Sequence, residues 1–195
     1  MTLHRRPPAE QNSVQVIGGR WRGRRIRFPD GEGLRPTPSR LRETLFNWLA
    51  PTLRDSRVLD LFAGSGVLAI EALSRGAREA VLVDASPAAC AQLDRELAAL
   101  GDAEAVVVRA DALAFLARHS GGPFNLVFLD PPYHRGLLAP AMQALEARGL
   151  LAAGAMIYVE SEMTPGYDIV PPNWRLHRRQ ESGQVCSSLY QRETA

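Results

Sequence analysis

The chain has 195 residues, 46% hydrophobic and 23% charged. These are the proportions of a globular protein, and the apolar runs fall short of the ~18 residues of a membrane span. At roughly 150 residues per domain, the length predicts one catalytic-size domain with an appendage, large enough to fold without disulfide or metal staples. The net charge of +2 hides a split: residues 1–42 hold ten arginines against Glu10, Asp30 and Glu32, whereas the remaining 153 hold thirteen arginines against eighteen acids, and lysine is absent throughout.

Residues 1–12 contain Pro7 and Pro8 and no periodicity, which predicts a flexible tail; MTLHRRPPAE lacks the apolar stretch of a secretory signal. Residues 13–36 read as a basic hairpin extension. Within it, VQVIGGRWRGRRIRF supplies two β-rich pieces punctuated by Gly18, Gly19 and Gly23, and residues 29–36 supply a loop. On an extended strand Arg20, Arg22 and Arg24 would share one face, with Trp21 on the other, where it and Phe28 either form a small core or meet an RNA base. From residue 37 to 195 the pattern is that of the main domain. Thr37 or Ser39 is expected to cap a helix through RLRETLFNWLA, with Leu41, Leu45, Trp48 and Leu49 on one face and Pro51 ending it.

From residue 56 strands and helices alternate. RVLDLFA, AVLVDAS, AVVVRAD and FNLVFLD read as strands, each followed by a helix; AMIYVES is a fifth strand, and WRLHRRQES and QVCSSLYQR form a hairpin turning near Gly183. Four βα units and a closing hairpin predict an α/β domain, with a mostly parallel seven-stranded sheet ending in antiparallel strands and helices on both faces. Cys90 and Cys186 are too few for a metal knuckle or a disulfide framework, and the four histidines show no ligand spacing, so no metal is expected and a reducing cytoplasm is.

The first of these strands runs into Asp60-Leu61-Phe62-Ala63-Gly64-Ser65-Gly66. Glycines permit a tight turn and close approach of a ligand, and the next helix offers free N–H groups. In open parallel sheets ligands bind beyond the carboxyl ends of the strands, where this loop lies. Asp84 ends the second strand, placed to accept hydrogen bonds from two ribose hydroxyls. The loop alone leaves open a dinucleotide such as NAD, S-adenosylmethionine, or a plain turn. Asp60 favours S-adenosylmethionine, because a carboxylate holds its ammonium group and repels a pyrophosphate. Asp111 follows the third strand, where an acid can accept from an adenine amino group beside a donor at Ala112, or simply cap a helix.

The fourth strand ends in Asp130-Pro131-Pro132-Tyr133, either a stiff turn or a catalytic corner. An exocyclic amine is a poor nucleophile because its lone pair is delocalised into the ring. Two acceptors on its N–H groups, the Asp130 carboxylate and the Pro131 carbonyl, free that lone pair. Pro132 restricts the carbonyl before it, and Tyr133 can stack on a flat base. Together the two motifs point to transfer of a methyl group from S-adenosylmethionine to an amine.

The stretches IGGRWRGRRIRFP, LRPTPSRLRETLFNWL, VLDLFAGSGVLAIEALSRGA and FLDPPY resemble the RsmD family over nearly the whole chain. The resemblance implies a Rossmann-like class I methyltransferase domain over residues 37–195, an N-terminal extension that helps hold RNA, and methylation of the N2 amine of one guanine in 16S ribosomal RNA. The expected setting is an assembling 30S particle, with the enzyme a monomer. It implies a catalytic set of Asp130, Pro131, Pro132 and Tyr133, and a cofactor set of Asp60, Phe62, Ala63, Gly64, Ser65, Gly66, Asp84, Ala85, Asp111 and Ala112. Arg20, Arg22, Arg24, Arg35, Arg40 and Arg42 are its RNA-facing candidates. One departure is Asp84, where many relatives carry Glu; either acid accepts from a ribose. Two other functions compete: a DNA adenine or cytosine amino-methyltransferase, for which no length remains for a target-recognition domain, and a non-catalytic RNA-binding assembly factor, which an intact Asp-Pro-Pro-Tyr corner disfavours.

Overall fold

A computed structural model describes residues 12–29, 37–101, 104–162, 170–183 and 185–193. The tail over 1–11, most of the loop over 29–36 and Arg35 lie outside these residues.

In the N-terminal extension, β1 (Ser13–Gln15) pairs antiparallel with β2 (Arg25–Arg27), Val14 opposite Ile26. The segment between them is not the extended strand expected. Gly19–Trp21 form a single 3-10 turn, so Arg20, Arg22 and Arg24 share no strand face. The cause is packing. Gly19 has φ +75° and lies against the Ser74 backbone so closely that a Cβ would collide with its carbonyl. The Trp21 N–H donates to Ser74 Oγ at 2.9 Å, which turns the indole into the core. Trp21 and Phe28 are both buried there, as their role in a small core requires.

Helix α1 (Ser39–Leu53) buries Leu45, Phe46, Leu49 and Leu53. It runs through Pro51 rather than ending at it, because the lost hydrogen bond falls in the last turn and burial of Leu53 holds that turn in place. Neither Thr37 nor Ser39 caps it: the N-cap is Pro38, and the Thr37 carbonyl and Ser39 Oγ both accept from the Arg42 guanidinium instead.

The body follows as β3 (Arg57–Asp60), α2 (Val67–Ser74), β4 (Glu79–Asp84), α3 (Pro87–Leu100), β5 (Ala105–Arg109), α4 (Ala112–Arg118), β6 (Phe124–Leu129), α5 (Leu138–Ala147), β7 (Leu151–Glu162), β8 (Trp174–Ser182) and β9 (Val185–Arg192). Strand β7 begins four residues before the AMIYVES segment that predicts it. The sheet order is β5-β4-β3-β6-β7-β9-β8, parallel from β5 to β7, with β9 antiparallel to both its neighbours. The expected α/β class, with its seven strands and closing antiparallel hairpin, is therefore the observed one.

One apolar cluster joins α1, α2, α3 and the N-terminal extension to one face of the sheet; a second joins α4 and α5 to the other. After β3 the chain builds outward to β4 and β5, then returns to place β6 on the opposite side of β3. The carboxyl ends of β3 and β6 thus flank a topological switch point, where a crevice opens in sheets of this kind.

Candidate active site and RNA-facing surface

The glycine loop leaves β3 at that switch point. Gly64 and Gly66 have φ of +52° and +70°, a region that disfavours side chains, and a Cβ at Gly66 would collide with Leu93 of α3. The loop is tied to β4 at two points. Ala63 N–H donates to the Val83 carbonyl at 2.9 Å, and Gly64 N–H donates to Asp84 Oδ2 at 2.8 Å. The other Asp84 oxygen accepts from Ser86 N–H at 2.7 Å. Asp84 therefore clasps the loop while retaining lone pairs for further donors, since a carboxylate offers about four acceptor sites. Ala85 is exposed beside it, and Phe62, Ala63 and Ser65 line the turn, with Ala63 and Ser65 buried.

Asp60, the last residue of β3, is buried. Burial pushes its carboxyl up to about 7, the Asp84 charge adds to the rise, and the N–H groups of Ala69 and Phe62 oppose it. No cation among the described residues contributes. A buried acid without a counter-charge is costly. This one fits a ligand ammonium, and the site's negative potential disfavours a pyrophosphate. On this observation the residues suit S-adenosylmethionine better than a dinucleotide. At the end of β5, Asp111 is exposed and caps α4, one oxygen accepting from Ala114 N–H at 3.0 Å; Ala112 is buried behind it.

Across the switch point, Asp130 is partly buried, Pro131 buried, and Pro132 exposed. Burial, then the Glu160 and Asp60 charges, push the Asp130 carboxyl well above the usual range. Tyr133 is 43% exposed, one of three large apolar side chains this open among the described residues. His134 follows with φ +60°, a left-handed bend that reverses the chain directly after the ring. Tyr133 does not float: its hydroxyl donates to Glu160 Oε1 at 3.4 Å. Glu160 is a residue the motifs do not reveal. Its signal is an acid in the apolar run of β7, one place beyond the Val159 that pairs with Leu129.

The arginines divide. Arg20, Arg22, Arg24 and Arg40 are exposed, with the Arg20 guanidinium 4.0 Å from the Trp21 ring centroid and Arg24 donating to the Ala99 carbonyl at 3.1 Å. Arg42 is not an RNA-facing residue. It is fully buried, ion-paired to buried Glu71 at 3.0 Å, and donates to the carbonyls of Thr37 and Gln15 at 3.0 Å each. It is the bolt between the extension, α1 and α2; charge density alone could not distinguish it from its solvated neighbours. Glu71 completes the joint by accepting from Ile17 N–H and from Arg75.

The family described as conserved hypothetical protein 95 matches residues 14–191. The chain belongs to this family. It is 53% identical over 180 residues to ribosomal RNA small subunit methyltransferase D of Escherichia coli, spanning 92% of this chain and 90% of the relative. It is 41% identical to the Haemophilus influenzae protein of that name, over 94% of this chain and 96% of the relative. A solved Escherichia coli structure, described as a candidate methyltransferase, superposes with a TM-score of 0.87 at 49% identity, over 93% of this chain and 99% of that one. The RsmD resemblance thus stands, and the four stretches that carry it all fall inside the matched span.

Proposed function

We propose that this RsmD-family protein transfers a methyl group from S-adenosylmethionine to the exocyclic N2 amine of a guanine in 16S ribosomal RNA, acting as a monomer in the cytoplasm on an assembling small subunit. The observation that carries the reading is the arrangement at one rim of the sheet. A buried carboxyl with no cation beside it among the described residues, Asp60, closes β3, while an acceptor, Asp130, and an open aromatic ring, Tyr133, follow β6 directly across the crevice. The names of the relatives support the RNA substrate, and the exposed Arg20, Arg22, Arg24 and Arg40 suit its phosphates. Arg35 belongs to the same proposed set, and no helix among the described residues is long and apolar enough to cross a membrane.

The cofactor supplies an electrophilic methyl on a sulfonium, so the residues need only bind, orient and deprotonate. Asp60 would hold the ammonium and Asp84 would accept from the ribose hydroxyls. Gly64 and Gly66 let the ligand approach the backbone beside Phe62, Ala63, Ser65 and Ala85, and Asp111 with Ala112 takes the adenine edge. Tyr133 stacks on the extruded guanine. The Asp130 carboxylate and Pro131 carbonyl accept from its two amine N–H groups and free the lone pair, with Pro132 fixing the carbonyl. By holding both partners, these residues would meet the entropy of their encounter at the binding step. The Asp130 oxygen would take the proton that the nitrogen sheds on methylation and pass it to water.

Incubation with methyl-labelled S-adenosylmethionine, unmodified 16S RNA or 30S particles, and genomic DNA in parallel tests this. Label is expected in the RNA arms, on guanine N2 after nucleoside digestion. Label confined to DNA, or on another atom, overturns the reading.

A further inference from the structure

The reaction above has no task for Glu160, yet the structure holds this side chain with more care than a plain core position needs. Glu160 sits near the carboxyl end of β7, buried, one residue past the Leu129–Val159 pair that brings β6 and β7 together. Asp130 is likewise one residue past that pair, so two acids stand side by side on adjacent parallel strands at the crevice rim. Two residues earlier Phe128 and Tyr158 meet edge-on, ring centroids 6.2 Å apart, on the face covered by α1 and α2.

Both Glu160 oxygens have donors. Oε2 accepts from the Tyr158 hydroxyl at 2.9 Å and Oε1 from the Tyr133 hydroxyl at 3.4 Å. The Tyr158 hydroxyl lies 3.1 Å from Ser187 Oγ. Its one proton is committed to Glu160, so Ser187 donates to it. A chain of hydrogen bonds therefore runs from β9 through β7 to the exposed ring at the mouth of the site. Burying an acid next to another acid is unfavourable, and an apolar side chain would close β7 without that penalty.

We propose that Glu160 is a positioning residue of the methyl-transfer site: it fixes the Tyr133 ring on which the target base lies, and its carboxylate beside Asp130 sets the pH range over which Asp130 accepts from the amine. This rests on the methyl-transfer reading. The groups that face Asp130 are Glu160 and Tyr158 from β7 and Asp60 from β3, with Tyr133 reaching Glu160 from the turn. Burial, Glu160 and Asp60 push Asp130 up. Burial also lifts Glu160, which the two phenols ease, and Tyr158 is pushed well above its ordinary range, so it remains a donor. Only the ionised Asp130 is a strong acceptor for the amine and free to take its proton, so turnover falls on the acid side along a limb above the ordinary carboxylate range. Removing the Glu160 charge moves that limb to lower pH.

The test uses the full chain, labelled S-adenosylmethionine and 16S RNA, with Glu160→Gln and Tyr133→Phe. Glu160→Gln is expected to lower kcat about tenfold through misplacement of the base, to leave the KM for the cofactor unchanged, and to shift the acid limb downward. Tyr133→Phe, at an exposed ring where folding is not at stake, is expected to lower kcat severalfold with the limb in place. Glu160→Gln with wild-type kinetics, or with reduced kcat and an unmoved limb, overturns the proposal. If the wild-type chain labels no RNA, the methyl-transfer reading is what fails. The coupling is then read from carboxyl NMR titration, where Glu160→Gln must lower the Asp130 midpoint; an unchanged midpoint overturns it.

Discussion

The crevice rim and the N-terminal extension are both dense in charge, and they use it in opposite ways. At the rim, Asp60, Asp84, Asp130 and Glu160 stand at or beside the carboxyl ends of four neighbouring parallel strands, so the strand ends dictate where each carboxylate stands. In the extension the arginines follow no such frame. Arg20, Arg22 and Arg24 lie on a 3-10 turn and the loop after it, open to solvent, while Arg42, on the first turns of α1, is sealed against Glu71. A residue's place on a regular element predicts its job well; membership of a charge cluster does not, because burial decides between an ion-pair bolt and a phosphate contact.

The sharpest way to break this contrast is at Arg42. Arg42→Ala leaves Glu71 buried without its main partner and frees the carbonyls of Gln15 and Thr37, so a loss of about 3–5 kcal/mol in unfolding free energy is expected. Denaturant titration checks it; a loss under about 1 kcal/mol would place Arg42 with the solvated arginines after all.

The rim makes a prediction of opposite sign. The Asp60 carboxyl is raised to about 7 in the folded chain from 3.8, so the folded state binds the proton more tightly than the unfolded one. Stability is greatest below the unfolded value and declines as pH rises through about 7. Asp60→Asn removes that decline. Without cofactor it should be more stable than wild type at pH 8 by on the order of 2–4 kcal/mol, with little difference near pH 4, as denaturation at the two pH values would reveal. Equal stabilities at pH 8 would mean the acid already has a counter-charge. The same variant should bind S-adenosylmethionine poorly by calorimetry. Asp130→Ala, by contrast, should keep cofactor affinity and lose a factor of about 10² in turnover, the loss expected for one positioned acceptor. Normal turnover would refute the two-acceptor corner.

How much of this was legible in the chain follows the same division. Alternating strands and helices and the closing hairpin read correctly, because period and punctuation are local. The glycine turn after β3 also lies where the sequence puts it, and Asp111, which the sequence leaves open between an adenine acceptor and a helix cap, does cap α4. Besides the burial of Arg42 and the missing cap at Thr37 or Ser39, three further features were not legible. Pro51 stays inside α1 because Leu53 has a core to reach, a tertiary fact. The extension bends at Gly19 because Ser74, 55 residues away, lies against it. Glu160 carries no motif because the hydrogen-bond chain through it joins three segments, the turn at Tyr133, Tyr158 of β7 itself and, beyond Tyr158, Ser187 of β9, which meet only once the sheet has formed.

The smallest effect tests the solvated half of the comparison. If Arg20, Arg22 and Arg24 meet phosphates, replacing all three by alanine removes charge together with peripheral contacts such as the Arg20 guanidinium on the Trp21 ring and the Arg24 bond to the Ala99 carbonyl, while the Trp21 backbone N–H keeps its bond to Ser74 Oγ. The melting temperature should hardly move, in contrast to Arg42→Ala. RNA affinity should fall and become less salt-sensitive, the slope of log affinity against log salt flattening by roughly 0.7 for each phosphate no longer neutralised on single-stranded RNA. A weaker affinity with an unchanged slope would mean the arginines act by shaping the extension and not by counterion release, and the polyanion contact would then have to be sought on another face.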